Sequence, residues 1–375
     1  IAMHESDAVV LVGLRLRSEN GERFDRSMEE LSELVRAAGM SARMTCTQTL
    51  DQPVAATLIG SGKIDEIRAS LGLMEIRAVV FNNTLSPKQH KNLTEALGVE
   101  VIDRTGLILL IFADRARTRE ARLQVEAAQL AYLLPRLAGL HEGLTRQGGT
   151  SGPLSGKGAG EKQIELDRRR IEKRLSALRR ELKAVERERA TQRSRRMNND
   201  VPRVSLVGYT NAGKSTIMNA LLQHSGAAPQ KQVLEKDMLF ATLDTTVRRI
   251  CLGPGHQEFL LSDTVGFVDR LPAALVDAFH STLEEACYAD LLLIVIDVSD
   301  PSWTEQVATT LETIAQIGAG EIPRLFVFNK ADRMPERPSH IACEGLSPED
   351  PQIVINARDK AETLRLAQTI EELCT

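Results

Sequence analysis

The chain has 375 residues, of which 42% are hydrophobic and 26% charged, and its formal net charge at pH 7 is −4. This length favours two domains with a connector, and the composition is typical of a globular protein in water. Aromatic residues make up only 3%, which argues against a protein that stacks many bases of single-stranded nucleic acid on its rings. The slightly negative charge excludes a global attraction to nucleic acid or membranes, so any such affinity requires a local basic patch.

Cysteine spacing and hydropathy indicate the compartment. The five cysteines lie far apart and include no C-x-x-C pair, which argues against a disulfide framework and against a zinc site. The longest apolar run, residues 291–296, is too short to span a bilayer, and the first residues do not resemble an export signal. We therefore expect a cytoplasmic protein without stable membrane insertion.

Residues 1–112 predict a small α/β domain with a mostly parallel sheet. Gly39 and Gly98 stand where glycine commonly ends a helix. The alternation of apolar strands with helical periodicity supports this fold. The predicted strands are 8–16, 78–82 and 99–103, and the predicted helices are 27–38 and 86–97.

Residues 113–200 predict an antiparallel helical hairpin. Apolar residues recur at spacings of three and four in 116–137 and again in 161–197, which is typical of two helices packed along a seam. The segment between them, 139–160, contains eight glycines, so we expect no regular structure there without a ligand or partner.

The second helix of this hairpin is basic. Residues 161–197 include 14 Lys or Arg and 7 Asp or Glu, a local net of +7 on an acidic chain. A solvated coiled-coil face is the competing interpretation. The cations beside the glycine-rich loop favour a contact with RNA. The residues of this hypothesis are Lys157, Arg168, Arg169 and Arg170, with support from Arg115, Arg117 and Arg119.

Residues 201–375 predict a doubly wound α/β domain, which starts at the helix-breaking pair Val201-Pro202. The second and third strands are joined by Gly253-Pro254-Gly255 and are expected to form an antiparallel hairpin. The predicted strands are 203–207, 247–252, 257–262, 291–297, 324–329 and 352–356.

The turn after the first of these strands carries a phosphate-loop motif. The sequence GYTNAGKST fits G-x-x-x-x-G-K-[ST] between an apolar strand and a helical segment. Its glycines let backbone N–H groups surround phosphate oxygens, and the helix N-terminus adds its positive dipole end. We expect Lys214 to reach the β and γ phosphates and Ser215 to ligate Mg²⁺. The predicted phosphate-binding residues are Gly208, Tyr209, Thr210, Asn211, Ala212, Gly213, Lys214, Ser215 and Thr216.

A second motif, NKAD at 329–332, follows an apolar strand and indicates the base. An aspartate can accept hydrogen bonds from N1–H and the 2-amino group of guanine, which adenine does not offer, so the motif predicts GTP and GDP as ligands. A backbone N–H after the last strand is expected to reach guanine O6. The predicted guanine-binding residues are Asn329, Lys330, Asp332, Asn356, Ala357 and Arg358.

Two segments between these motifs are predicted to respond to the γ-phosphate. The second of them fits D-x-x-G, with Asp263 holding Mg²⁺ through water. Thr242 is our choice for the threonine that completes the Mg²⁺ shell, with Thr245 and Thr246 as open alternatives. Switch I comprises Phe240, Ala241, Thr242, Leu243 and Asp244, and switch II comprises Asp263, Thr264, Val265 and Gly266.

The hydrolytic machinery departs from a common pattern. Phe267 stands where many GTPases have a glutamine that orients the attacking water. We therefore expect slow intrinsic hydrolysis, with the missing group supplied by a partner or a bound ion. Asn211 is a candidate for holding K⁺, although an asparagine that only stabilises the loop is an equal alternative.

The chain resembles the HflX family, within the Obg–HflX group of translation GTPases. The resemblance covers nearly the whole chain. It implies a monomeric cytosolic GTPase that binds the large ribosomal subunit and its RNA, and that dissociates or rescues stalled ribosomes. It is carried by GYTNAGKST, LFATLD, DTVGF and NKAD, and by GSGKIDEI, LSPKQHKNL, VIDRTGLIL, FADRARTREARLQVEAAQL and YLLPRL in the first 137 residues.

Two other functions stay open. One is an RNA remodelling enzyme that uses ATP through the N-terminal domain, where residues 60–63 (GSGK) form an incomplete phosphate-loop pattern. The other is a signalling GTPase with a protein effector and no role on RNA.

Overall fold

The computed structural model divides into two compact units, residues 1–114 with 122–184, and residues 115–121 with 185–375. The division into domains 1–112, 113–200 and 201–375 stays a prediction. In the part of the chain that is described, no helix has the length and apolar character that crossing a bilayer requires. The described residues are 7–72, 75–137, 156–196, 201–226, 239–240, 246–268, 286–334, 336–338, 340–343 and 345–374.

The first unit contains a four-stranded parallel sheet. Its strands are β1 (Ala8–Leu16), β2 (Ser41–Leu50), β3 (Ala78–Phe81) and β4 (Glu100–Asp103), in the order β2-β1-β3-β4. Helices α1 (Gly21–Ala37), α2 (Ser61–Leu71), α3 (Pro87–Leu97) and α4 (Arg104–Arg115) connect or follow them.

Local signals explain several helix ends in this unit. Asn20 caps α1 by accepting hydrogen bonds from the backbone N–H groups of Glu22 and Arg23. Ser86 and Gln89 form a capping box at α3, and Gly98, at φ 72°, ends that helix as predicted. The sequence patterns did not predict β2 or α4.

Helix α5 (Arg119–Leu133), a short 3₁₀ turn (Leu134–Arg136) and α6 (Gly156–Arg196) follow. Glu126 of α5 binds Arg174 of α6 through two hydrogen bonds of 2.7 Å. The expectation of no regular structure throughout 139–160 is wrong at its end, because α6 already begins at Gly156. A long helix can extend through isolated glycines, since each costs only about 1 kcal/mol.

The second unit contains a six-stranded sheet. Its strands are β5 (Arg203–Gly208), β6 (Thr246–Ile250), β7 (Phe259–Asp263), β8 (Leu291–Asp297), β9 (Arg324–Asn329) and β10 (Gln352–Val354). The order is β10-β9-β8-β5-β7-β6. Among the strands described in this sheet, only β6 runs antiparallel, against β7, which confirms the predicted hairpin.

Helices α7 (Lys214–His224), α8 (Trp303–Gln316) and α9 (Lys360–Leu373) belong to this unit. Strands β5, β7, β8 and β9 are parallel, so their carboxyl ends lie along one edge of the sheet. Ligands of doubly wound folds bind at this edge. The predicted phosphate loop, Asp263 and Asn329 all follow or end these strands.

Candidate nucleotide-binding site

The predicted phosphate-binding residues form the turn between β5 and α7. Gly208 has φ 144° and Gly213 has φ 99°, values that side chains beyond glycine rarely adopt. A Cβ on Gly208 would lie 2.3 Å from the Val295 carbonyl oxygen, and one on Gly213 would lie 2.2 Å from Nδ2 of Asn329. The turn is therefore packed against the ends of β8 and β9, and α7 directs its N-terminus towards it.

Lys214, predicted to bind phosphates, lies inside this turn. Its Nζ donates hydrogen bonds to the carbonyl oxygens of Gly208 (3.0 Å) and Tyr209 (2.7 Å). Burial lowers the pKa of Lys214 to about 8, and the negative charge of Asp263 partly opposes that shift. Two carbonyls are weak substitutes for a counterion, so this ammonium is suited to an incoming anion.

Two predicted magnesium-binding groups are adjacent. Ser215 Oγ donates a 2.7 Å hydrogen bond to Oδ2 of Asp263, at the end of β7. A hydroxyl and a carboxylate are the oxygen ligands that Mg²⁺ prefers, so this pair fits the ion. Thr242 lies outside the described residues, as do Ala241, Leu243, Asp244 and Thr245.

Backbone hydrogen bonds attach the D-x-x-G segment to the phosphate loop. The N–H of Phe267 donates to Gly208 O (3.1 Å), and the N–H of Thr210 donates to Phe267 O (2.7 Å). Thr264 Oγ1 donates to Leu206 O at 2.6 Å. Switch II therefore lies directly against the turn where the γ-phosphate is predicted to bind.

The side chains around this segment are mostly buried. The phenyl ring of Phe267 is 2% exposed and belongs to the hydrophobic core, so it presents no polar group to a water molecule. Val265 and Phe240 are also buried, and Phe240 has φ 55°. Thr246, the remaining alternative in switch I, opens β6 opposite Asp263.

Asn329, predicted to bind guanine, joins three loops. Its Nδ2 donates to Ala212 O in the phosphate loop (2.9 Å), and its Oδ1 accepts from the N–H of Ala357 (3.0 Å). An amide has a second N–H hydrogen, which leaves one donor for the predicted contact with N7. Asn329 thus fixes the distance between the phosphate and base ends of the site.

Lys330 extends from the base end towards the phosphate loop. It has φ 61°, and its Nζ donates to Asn211 O at 2.9 Å and to Asp297 Oδ2 at 2.6 Å. The other oxygen of Asp297 accepts from Ser299 N (3.0 Å) and Ser299 Oγ (2.6 Å). Asp332 follows in a 3₁₀ turn with its side chain exposed.

The backbone N–H groups of the last predicted motif, residues 356–358, already donate hydrogen bonds to side-chain oxygens of the protein. The N–H of Ala357 donates to Asn329, and the N–H of Arg358 donates to Asn356 Oδ1 at 3.0 Å. The N–H of Asn356 donates to Glu362 Oε2. A contact from Ala357 N–H to guanine O6 therefore requires a shared hydrogen bond or a local shift.

Known proteins match this arrangement over the whole chain. Three protein families match in succession: "GTP-binding GTPase N-terminal" at residues 25–113, "GTP-binding GTPase Middle Region" at 115–196 and "50S ribosome-binding GTPase" at 203–330. A GTPase HflX of Alkalihalophilus pseudofirmus is 41% identical over 374 residues, which cover 99% of this chain and 84% of the relative. The chain belongs to the HflX family of GTPases.

Further comparisons agree with this membership. The GTPase HflX of Caldanaerobacter subterraneus subsp. tengcongensis is 42% identical over 367 residues, 98% of this chain and 80% of the relative. A crystal structure of a protein named SsGBP with GDP aligns over 98% of both chains, with a TM-score of 0.53 at 24% identity, which shows the shared fold. This HflX-family chain is a GTP-binding protein that hydrolyses GTP.

In this HflX-family chain, Asp297 was not among the predicted site residues. We expect Asp297→Ala to speed GDP release by roughly tenfold, about 1.4 kcal/mol, because Lys330 loses its ion pair while Asn211 O alone holds the ammonium. Release of a fluorescent GDP measures this. Asp300→Asn weakens hydrogen bonds at the start of α8 and is the control for lost stability. Equal release rates in Asp297→Ala and the wild type would contradict the assignment.

Three of the cations predicted to contact RNA are exposed on α6 and paired along the helix. Arg168 lies 3.0 Å from Glu172, and Arg169 lies 2.9 Å from Glu165. Arg170 pairs with a carboxylate three residues away on the same helix. Lys157 is in the first turn of α6, and its side chain lies outside the described residues. Such exposed pairs contribute only about 0.3–0.5 kcal/mol each, so a phosphate can replace the carboxylate.

Proposed function

We propose that this GTPase acts as a monomer that binds the large ribosomal subunit in its GTP-bound form and dissociates or rescues stalled ribosomes. The observation that carries the proposal is the match of residues 203–330 to a family described as "50S ribosome-binding GTPase". The full-length similarity to HflX proteins supports it, because the N-terminal and middle regions match as well.

The nucleotide would set the state of the switch segments. Mg²⁺ would be held by Ser215, by Asp263 through water and by Thr242, where it would neutralise phosphate charge. Lys214 would leave the carbonyls of Gly208 and Tyr209 and bind the β and γ phosphates. Switch II is already hydrogen-bonded to the phosphate loop. A γ-phosphate near Gly266 would therefore change the conformation of that segment.

The base would be bound by the buried amide of Asn329 and the exposed carboxylate of Asp332. Asn329 is 2% exposed and hydrogen-bonded at both ends, so it supplies a fixed edge for the base. Asp332 would accept hydrogen bonds from N1–H and the 2-amino group, and adenine cannot supply those donors. Lys330 would cover the base from the phosphate-loop side.

The basic face of α6 would contact ribosomal RNA. We expect simultaneous charge reversal at Arg168, Arg169 and Arg170 to weaken large-subunit binding by roughly tenfold or more and to reduce its salt dependence. GTP affinity should not change. The matched control reverses three exposed cations further along the same helix: Arg179, Arg180 and Lys183. Intact ribosome binding in the first variant would remove these arginines from the interface.

A potassium ion would support hydrolysis. The Asn211 side chain is exposed at the phosphate loop, next to the Lys330 contact with its backbone oxygen. We expect hydrolysis in K⁺ to be roughly tenfold faster than in Na⁺, about 1.4 kcal/mol of barrier, and Asn211→Ala to remove the difference. Equal rates with the two ions in the wild type would refute this role.

The N-terminal GSGK segment gives no support to the ATP alternative. Gly60 caps α2, and its N–H donates to Gln48 Oε1 at 2.9 Å. Lys63, in the first turn, pairs with Glu66 at 2.6 Å. The segment forms a helix start, without the strand-to-helix turn that surrounds a phosphate.

Sedimentation with purified ribosomal subunits tests the proposed function. The protein is centrifuged through sucrose gradients with large or small subunits, in GDP or a non-hydrolysable GTP analogue. We expect co-migration with the large subunit in the analogue alone, and loss of intact ribosomes when these are added. A lack of association in both nucleotides would favour a signalling GTPase with a protein effector.

A further inference from the structure

The hydroxyl group of Thr210 has an unusual environment. Thr210 is 7% exposed, and its Oγ1 is buried with no hydrogen-bond partner among the described residues. A buried hydroxyl left unpaired costs about 1–3 kcal/mol. Such groups in a native fold require an explanation, and a ligand that pairs with the group is one.

Thr210 also lies at a chemically significant position. A Cβ on Gly266 would be 2.7 Å from Cγ2 of Thr210 and 3.0 Å from Nζ of Lys214, so Thr210 and the ammonium border the same glycine. Lys214 is predicted to reach the γ-phosphate, and Gly266 belongs to switch II, which is predicted to respond to it. Thr210 therefore lies beside two of the groups around the predicted γ-phosphate.

The backbone of Phe267 holds Thr210 in place through a hydrogen bond. Its carbonyl accepts the Thr210 N–H at 2.7 Å, and its own N–H donates to Gly208 O at 3.1 Å. Phe267 is 2% exposed and packs in the hydrophobic core, which holds the two backbone hydrogen bonds in place. The residue that replaces the usual glutamine thus holds a hydroxyl in position although it has no polar side chain itself.

We propose that Thr210 is a catalytic residue of GTP hydrolysis, whose Oγ1 accepts a hydrogen bond from the attacking water. The proposal rests on the phosphate placement inferred above. The water oxygen forms a bond to the γ-phosphorus, and the bond from that phosphorus to the β,γ-bridging oxygen breaks. Its electron pair stays on GDP, and both water hydrogens leave on the released H₂PO₄⁻. The hydroxyl exchanges no proton with the water and acts by orientation.

Two variants at this position test the role. Thr210→Val keeps the side-chain shape but removes the hydroxyl, and Thr210→Ser restores the hydroxyl without the methyl group. We expect Thr210→Val to slow single-turnover GTP hydrolysis by roughly 10–100-fold, as is typical for an orienting group. Its GTP affinity should change by less than about threefold, and Thr210→Ser should recover most of the lost rate.

Thermal unfolding without nucleotide separates this role from a structural one. Because no described residue pairs with this hydroxyl, Thr210→Val should melt at the same or a higher temperature than the wild type. A wild-type hydrolysis rate in Thr210→Val, or a rate loss matched by an equal loss of GTP affinity, would overturn the proposal. Failure of the wild type to bind ribosomes would refute the proposed function and leave this result unaffected.

Discussion

Lys214→Met is expected to lose GTP and GDP binding almost completely. Lys214 Nζ donates to the carbonyl oxygens of Gly208 and Tyr209, and we expect phosphate oxygens to replace both acceptors when nucleotide binds. Hydrogen bonds to a charged group contribute about 1.5–3 kcal/mol each. Two of them correspond to an affinity loss on the order of 10²- to 10⁴-fold, which equilibrium titration with a fluorescent GDP measures.

The same substitution should raise the stability of the protein at pH 7 when no nucleotide is added. Burial lowers the pKa of Lys214 to about 8 from 10.5, so the folded chain binds this proton more weakly than the unfolded chain does. The charged lysine therefore destabilises the folded chain below about pH 8, and this destabilisation decreases as the pH rises towards 10.5. Without nucleotide, Lys214→Met should melt above the wild type at pH 7, with a smaller difference at pH 10.

The exposed Lys360 provides a control for this experiment. Lys360→Met removes the same charge outside the phosphate loop and should leave both GDP affinity and the pH dependence of melting close to those of the wild type. If Lys214→Met binds GDP normally, the loop at 208–216 does not hold the phosphates. If it melts below the wild type at pH 7, the buried ammonium is stabilised by its two carbonyls.

Asp332→Asn is expected to change the base preference of the site from guanine to xanthine. A carboxylate accepts from N1–H and the 2-amino group of guanine, whereas an asparagine amide presents a donor that matches the 2-oxo group of xanthine. Placing a donor against the guanine 2-amino group leaves polar groups unpaired. We expect GDP affinity to fall by about 100-fold or more, close to 3 kcal/mol, and XDP affinity to rise.

Competition between GDP and XDP for the wild type and the variant measures this exchange. Glu336→Gln is the matched control, because it neutralises an exposed carboxylate four residues further along the same segment. It should keep the wild-type preference for GDP. Unchanged guanine selectivity in Asp332→Asn would remove this residue from base recognition.

The sequence predicted most of the nucleotide site because its signals are local. A glycine at each end of the phosphate loop, a lysine at the start of a helix and a D-x-x-G segment after a strand can each be read from a few neighbouring residues. Strand β1 was predicted with its observed bounds, since it is a mostly apolar run. In contrast, β2 was missed although Ala42, Met44 and Cys46 alternate with polar residues, because the segment has no continuous apolar run and only Cys46 is buried.

Contacts between residues far apart in the sequence could not be predicted from local sequence patterns. The ion pair of Asp297 with Lys330 depends on β8 and β9 being neighbours in register. Likewise, Asp103 is fully buried and accepts hydrogen bonds from Tyr132 (2.8 Å) and Arg136 (3.1 Å). No local pattern links these residues, because their approach is set by strand order and by packing of α5.

The most direct test measures ribosome binding by the wild type and by Asp332→Asn, the variant with altered base preference. Wild type and Asp332→Asn are each sedimented with large subunits in non-hydrolysable analogues of GTP or of xanthosine triphosphate. We predict that the wild type migrates with the subunit only in the guanosine analogue, and Asp332→Asn only in the xanthosine analogue. Equal association of either protein in both nucleotides, or in none, would contradict a ribosome-binding switch controlled by this site.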